Sequence, residues 1–380
     1  MKTKVFFRSS LIFLVIFMFL MIIGCSQNES TTSVNPDKQA TLDYHGQKIT
    51  TQEVFKIGEI PDVGIVHTEK GGYKIALTIP SLEFKVFKIM KDAIEIQAHS
   101  DGNELEFVNA EGDINKQLAA VDTFITQKVD LVIFCAVDPT SERIALNKLR
   151  AAGIDVVALD RPFDDENIRT VAGFDEGSGI NAAKVISEKL GGQGKVAQVI
   201  GQLGVPHTYD SERGFETELK NNTGLEQVAK QPGDYQRDKS FTVTKDIISA
   251  HPKGKLDAIF AHNANQALGV MAAVEGAGRL QDPIYIVGGD LEDEAISAIE
   301  QGKMLGTNDR NPMAIGATAY QMSAAILNGN EEIPYAVLIP PVMFTKENLD
   351  QINEPFYKLE VSKKLKFETY KDFAPRLKIH

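Results

Sequence analysis

The run Ile154–Phe163, IDVVALDRPF, constrains this chain more than any other stretch. Val156–Leu159 are consecutive apolar residues, the pattern of a strand buried on both faces of a parallel sheet. The run stops at Asp160 and Arg161, and Pro162 forbids further ladder pairing because it has no N–H to donate. In doubly wound α/β sheets, ligands gather just beyond the carboxyl ends of such strands. A carboxylate beside a guanidinium is equally what an ordinary surface ion pair at a strand end looks like. How the other strands end decides between the two.

The chain keeps a regular beat. A strand at Lys74–Ile79 leads into a helix with Val86, Ile89, Met90 and Ala93 on one face. Glu104–Val108 leads into one carrying Ile114, Leu118, Val121 and Ile125, the spacing of a buried stripe. Val129–Cys135 is followed by a helix that Asp138 can cap, with Pro139 at its first position and Gly153 past its end. A second series has strands at Thr170–Phe174, Lys195–Gly201, Leu225–Lys230, Leu256–Ala261 and Ile284–Gly288. Alternation of this kind gives parallel sheets with right-handed crossovers. The expected fold is α/β, with two doubly wound parallel-sheet lobes that divide near Gly173–Gly177. Met304–Asp309 and a helix at Pro312–Leu327 are expected to lead back to the first lobe, and Ile333–Pro341 to cross again. The first lobe then comprises 73–174 with 311–337, and the second 175–310 with 338–350. A polar, partly helical tail, 351–380, follows. Leu42–Gly71 is mixed in pattern and reads as a small hairpin or a strap over the main domain, with no role assigned.

At 380 residues the chain is too long for one core. Its formal charge of −12 argues against a nucleic-acid partner, since no basic surplus exists to neutralise phosphates. Lys2, Lys4 and Arg8 precede an apolar run, Leu11–Ile23, that ends in Ile22-Ile23-Gly24-Cys25. A basic start, a short apolar core and small residues before a cut describe a secretory leader over 1–24. The ending resembles a lipobox, with Cys25 lipidated; an uncleaved membrane anchor is the rival, and its apolar run is short for a span. Both place the bulk of the chain outside the cytoplasm. Residues 25–72 are then tether and N-terminal extension. With Cys25 lipidated only Cys135 remains, so no internal disulfide forms.

Catalytic signatures are missing from the sequence: no phosphate-binding loop, no dinucleotide fingerprint, no H-E-x-x-H, no C-x-x-C and no nucleophile elbow. The seven His show no metal-ligand spacing, and His207 and His262 read as polar loop residues. No cofactor and no metal are expected. What accumulates is polar side chains at strand ends: Asp160 and Arg161, Asn263, Asp290 and Arg310, with Tyr235 in a loop after another strand and Arg213 near a helix start. Together they supply carboxylate acceptors, an amide, guanidinium forks and an aromatic face, the mixture that hydroxyl-rich ligands need. Each has a local alternative: Asp290 and Asn263 as helix caps, Arg310 as a surface partner.

Several motifs carry a family resemblance: ALDRP at Ala158–Pro162, QPGDYQR at Gln231–Arg237, HPKGKLDAIFAHNANQALGVMAAVEGAG at His251–Gly278, IVGGD at Ile286–Asp290 and TKENLD at Thr345–Asp350. From about Tyr73 to Asp350 the chain resembles the type I periplasmic binding proteins, in the ribose-binding-like branch that serves sugar importers. The resemblance implies a three-segment hinge and a ligand between the lobes, touched by Asp160, Arg161, Tyr235, Asn263, Asp290 and Arg310. It implies a binding protein rather than an enzyme: a monomer that closes on a small polar ligand and delivers it to an ABC permease. The alternative partner is a membrane histidine kinase or chemoreceptor.

The chain departs from the family pattern in places. Phe84-Lys85-Val86-Phe87 stands where the family has an Asn-Pro-aromatic-aromatic run, which leaves Phe84 and Phe87 as the candidate stacking rings. Gly289 replaces an aromatic, Arg310 a frequent Gln, and Ser211 the usual arginine, with Arg213 two residues on. Fewer rings and an added guanidinium shift the expectation toward a smaller, more polar or anionic ligand.

Overall fold

The computed structural model describes residues 40–377 except 45–46, 61, 222–223, 280–283, 331, 354–357 and 359–364. The leader over 1–24, the lipidation of Cys25 and most of the tether lie outside the described residues.

A hairpin of β1 (Thr41–Tyr44) and β2 (Gln47–Thr50) leads into α1 (Thr51–Ile57). Thr50 and Glu53 close a capping box: the Thr50 hydroxyl accepts from the Glu53 N–H at 3.3 Å, and the Glu53 carboxylate accepts from the Thr50 N–H at 2.9 Å. Then β3 (Lys74–Ile79), α2 (Lys85–Ser100), β4 (Glu104–Asn109), α3 (Ile114–Gln127), β5 (Leu131–Phe134), α4 (Arg143–Ala151), β6 (Asp155–Leu159) and β7 (Arg169–Gly173) alternate. These five strands pair in parallel in the order β4-β3-β5-β6-β7. β6 is buried on both faces: Val157 and Leu159 enter one core, Val156 and Ala158 the other. The helix expected from Pro139 begins at Arg143 instead. The Asp138 carboxylate caps a turn ahead of it, accepting from the Thr140 N–H at 2.9 Å and the Ser141 hydroxyl at 2.8 Å.

Past Gly173 the chain enters a second layer: α5 (Asp175–Leu190), β8 (Gly194–Ile200), α6 (Pro206–Asn221), β9 (Leu225–Pro232), α7 (Arg237–Ala250), β10 (Ala258–Ala261), α8 (Ala264–Gly276), β11 (Tyr285–Gly289), α9 (Asp293–Glu300) and β12 (Gly306–Asp309). Its strands pair in the order β12-β11-β10-β8-β9, all parallel. Met304–Asp309, expected to lead back to the first lobe, stays within the second, as the bounds 175–310 have it, since β12 pairs with β11 through Val287–Gly289. Its sequence, GTND, carries no apolar period; backbone pairing and side-chain hydrogen bonds set its place, with Thr307 Oγ1 donating to the Asp290 carbonyl at 2.8 Å and Asn308 Nδ2 to that of Ser178 at 3.1 Å.

The return comes after Arg310, through α10 (Pro312–Leu327), whose Ile315 and Tyr320 pack in one core with Ile75 and Met90. β13 (Ala336–Ile339) joins β7 in parallel, and β14 (Val342–Thr345) lies antiparallel to β12. The third crossing is therefore at Pro340–Pro341, a few residues beyond the expected break after 337. The tail then supplies an antiparallel edge strand to β13, β15 (Lys366–Glu368), and α11 (Tyr370–Leu377), which buries Phe373 against Tyr335.

The N-terminal extension belongs to the first lobe's core. Val54, Phe55, Ile57 and Ile60 are buried there with α10. Gln321 fixes the passage, its amide donating to the Phe55 carbonyl at 2.7 Å and its oxygen accepting from the Val66 N–H at 2.9 Å.

Candidate ligand-binding cleft

The strand order reverses between β3 and β5 in one sheet and between β8 and β10 in the other. Open α/β sheets leave a crevice at such switch points, beyond the carboxyl ends of the strands. One cleft opens there, with an empty volume of about 530 Å³ that includes the open space at its mouth. Phe84, Val86 and Phe87 line it after β3, and Asp160 and Arg161 after β6. Val205 and His207 come after β8, then Tyr235, Asn263, Asp290 and Arg310 after β9 to β12 in turn.

Of the residues singled out in the sequence, Arg213 alone does not line the cleft. It pairs with Asp210 and comes within 3.9 Å of Glu176. On α6, His207 and Ser211 share a face, whereas Arg213 lies well round the helix from it. That face meets α5 because the two backbones touch: a Cβ on Gly214 would sit 1.9 Å from the Glu176 carbonyl oxygen, and one on Gly179 2.0 Å from that of Ser211. Burial pushes the Asp210 carboxyl up to about 6 despite its Arg213 partner.

Arg310 is the centre of the cleft floor. Its Nε donates to Asp175 Oδ1 at 2.8 Å, and its Nη2 donates to Asp175 Oδ2 at 3.0 Å and Asp160 Oδ1 at 2.8 Å. All three residues are buried. Burial opposes ionisation of Asp175, but Arg310 and then His207 outweigh it and hold the carboxyl well below its usual range. The added guanidinium is thus matched from inside the protein by Asp160 and Asp175. Arg161 is held separately: its Nη1 donates to the carbonyls of Ala136 at 3.0 Å and Val137 at 2.7 Å, and its guanidinium stacks 5.5 Å from the Phe87 ring centre.

Asn263 is both a helix cap and a lining residue. Its Oδ1 caps α8 by accepting from the Gln266 N–H at 2.9 Å, and its amide end borders the cleft. Asp290 caps nothing; Glu292 precedes α9, and the Asp290 carboxylate lines the cleft, where burial pushes it up to about 6. Asp160, Tyr235 and Asp290 all have left-handed backbones, with φ of 61°, 60° and 61°. Such conformations are tolerable for Asp and costly for Tyr. Tyr235 is locked by a 2.6 Å hydrogen bond with the Thr208 hydroxyl and by Gly201, where a Cβ would meet the tyrosine ring at 2.1 Å.

Two site residues escaped the sequence reading. His207 read as a loop residue, yet it opens α6 inside the cleft, stacked 5.9 Å from Tyr235. Asp175 follows the first crossing directly, and its place after β7 was the available signal. Among the described residues no group of His, Cys, Asp and Glu could hold a metal ion. Cys135 is fully buried, and burial pushes its thiol well above the ordinary range.

The family described as "Periplasmic binding protein domain" matches residues 75–331. The ribose import binding protein RbsB of Bacillus subtilis (strain 168) is 30% identical over 263 residues, which cover 69% of this chain and 84% of that protein. An ABC transporter periplasmic solute binding protein from Actinobacillus succinogenes 130z, solved with bound D-allose, is 28% identical with a TM-score of 0.67, over 72% of this chain and 98% of the other. One from Bacillus halodurans C-125 with bound myo-inositol is 26% identical with a TM-score of 0.68, over 74% and 98%. With its two parallel-sheet lobes and the cleft at their switch points, the chain belongs to the periplasmic binding protein domain family.

Proposed function

We propose that this chain is the extracytoplasmic solute-binding subunit of a sugar-class ABC importer, and that it closes on a neutral sugar or cyclic polyol. One observation carries the ligand class: the added guanidinium at Arg310 is already matched by Asp160 and Asp175. What remains for a ligand is a mixed set of donors and acceptors. Asp290 and the second oxygen of Asp160 accept, Arg161 and the Asn263 amide donate, and Phe84 and Phe87 offer apolar faces. Hydroxyls that both donate and accept fit that set, and a free carboxylate or phosphate does not. Binding is by closure, because each lobe supplies an acceptor and a donor, Asp160 with Arg161 and Asp290 with Asn263, and a ligand meets all four only when the lobes come together. The chain is anchored as a lipoprotein through Cys25 and acts as a monomer; the basic start, the short apolar run and Ile22-Ile23-Gly24-Cys25 support the anchor.

The test is mass spectrometry of small molecules released on denaturing protein purified without added sugar, followed by titration of dialysed protein with myo-inositol, D-allose, D-ribose and glucose 6-phosphate. Release or binding of a neutral compound supports the proposal. Binding of the phosphate alone overturns it.

A further inference from the structure

We propose that His207, in its imidazolium form, is a positioning residue for the ligand. It braces Asp175, Asp175 fixes Arg310, and Arg310 aims Asp160 into the cleft. This rests on the ligand reading above and adds to it a proton requirement.

The protonation follows from hydrogen-bond partners. Ser211 Oγ donates to the Asp175 carbonyl at 3.3 Å, so it can only accept at its 3.5 Å contact with His207 Nδ1. The same Nδ1 lies 3.1 Å from Asp175 Oδ1. It therefore carries a proton. The other nitrogen, Nε2, faces the carbonyl oxygen of His262 at 3.4 Å and needs a proton too. A neutral ring would set a lone pair against an acceptor on one side or the other. The neighbouring His262 is the opposite case: its Nδ1 accepts from the Gly201 N–H at 3.4 Å and its Nε2 donates to Gln198 Oε1 at 3.2 Å, which makes it neutral.

The charged and titratable groups around His207 come from every element that meets it. Asp175 at the start of α5 and Asp290 after β11 favour the cation, and Arg310 after β12 opposes it. Tyr235 after β9 and His262 after β10 contribute rings without charge. Burial works against the cation, but Asp175 outweighs it and the imidazole is held above its ordinary range. With His207 protonated, the carboxylates of Asp160, Asp175 and Asp290 are matched by Arg161, Arg310 and the imidazolium. The chain of contacts starts on α6 in the second lobe and ends just after β6 in the first, so losing the proton loosens a link across the cleft.

The experiment has two arms. In ligand-free protein, the imidazole C–H resonances are followed by NMR from pH 5 to 9, with His207 assigned by its loss in His207→Gln. The expected result is titration of His207 above 6.5; titration at or below 6.5 overturns the proposal whether or not any sugar binds. In the second arm, affinity for whichever of myo-inositol, D-allose or D-ribose binds is measured over the same range. The expected profile is a bell. Its acid limb, near 6, belongs to Asp290 and persists in His207→Gln. Its alkaline limb falls by up to about tenfold per pH unit, the limit for one linked proton, and is flattened in His207→Gln. An alkaline limb unchanged in His207→Gln overturns the proposal. Failure of every probe to bind counts against the ligand reading instead, and leaves the NMR arm to decide the protonation.

Discussion

Replacing Arg310 with Met removes the cation that two buried carboxylates share. In the wild type its bonds to Asp160 and Asp175 run from 2.8 to 3.0 Å, and those residues are only 7% and 5% exposed. Removing one partner of a buried pair typically costs about 3–5 kcal/mol, because the remaining charge stays out of water. At roughly 2–4 °C per kcal/mol for domains of this size, Tm should fall by roughly 6–20 °C. The pH dependence identifies the cause. In the wild type the Asp175 carboxyl is depressed, so its contribution is complete above the ordinary carboxylate range and is lost as pH falls through the depressed value. Without the guanidinium, only His207 is left to offset the burial of Asp175, so less of that stability is recovered as pH rises. The deficit should therefore be largest at pH 8 and shrink toward pH 4.5. Urea unfolding of both proteins at pH 4.5, 6 and 8 measures it. A deficit below about 1 kcal/mol at pH 8, or one independent of pH, would refute the reasoning.

Other changes separate binding from folding. Asp290→Asn should weaken ligand binding yet raise the Tm of ligand-free protein at pH 8, because the raised carboxyl near 6 subtracts stability as pH climbs toward it; scanning calorimetry at pH 5 and 8 checks the sign. Lys85 spans the cleft rim, 3.2 Å from Asp293 and 3.8 Å from Glu292. Lys85→Ala should leave Tm within a degree or two and speed ligand release by at most about fivefold, as expected for an exposed pair worth under about 1 kcal/mol; stopped-flow dissociation at low and high salt reads it. Phe55, 3% exposed beneath α10, should cost about 3–5 kcal/mol on replacement by Ala without changing the affinity of the folded fraction, since it lies outside the cleft.

The strands that carry the site were legible because each is a short apolar run that stops at a polar residue. Asp160, Asn263 and Asp290 could be placed at one edge of two sheets on that ground alone. Arg213 misled for a geometric reason: nearness to a helix start says nothing of which face the residue takes, and the close contact of Gly179 and Gly214 with the facing backbones sets that rotation. His207 stayed hidden because it ends no apolar strand, and Asp175 was passed over although it directly follows the strand expected at Thr170–Phe174; their meeting depends on two helices packing backbone to backbone. β12 was read both as part of the second lobe and as the way back to the first, since GTND has no period to read. The extension did carry a local signal, Thr50 with Glu53 three residues on, but what its apolar face covers is decided by α10, more than 250 residues later. Arg310 was found as a ligand-side residue, and its charge state in the site followed only once Asp160 and Asp175 were seen on either side of it.

The most direct measurement is calorimetric titration of dialysed protein with a matched panel of neutral sugars, cyclic polyols and their phosphate or carboxylate derivatives. The account predicts that a neutral member binds with one-to-one stoichiometry, and that at about 100 times its Kd it stabilises the fold by roughly 2.7 kcal/mol. Binding confined to the anionic members would contradict it, because Arg310 would then have to be free to take a ligand's charge.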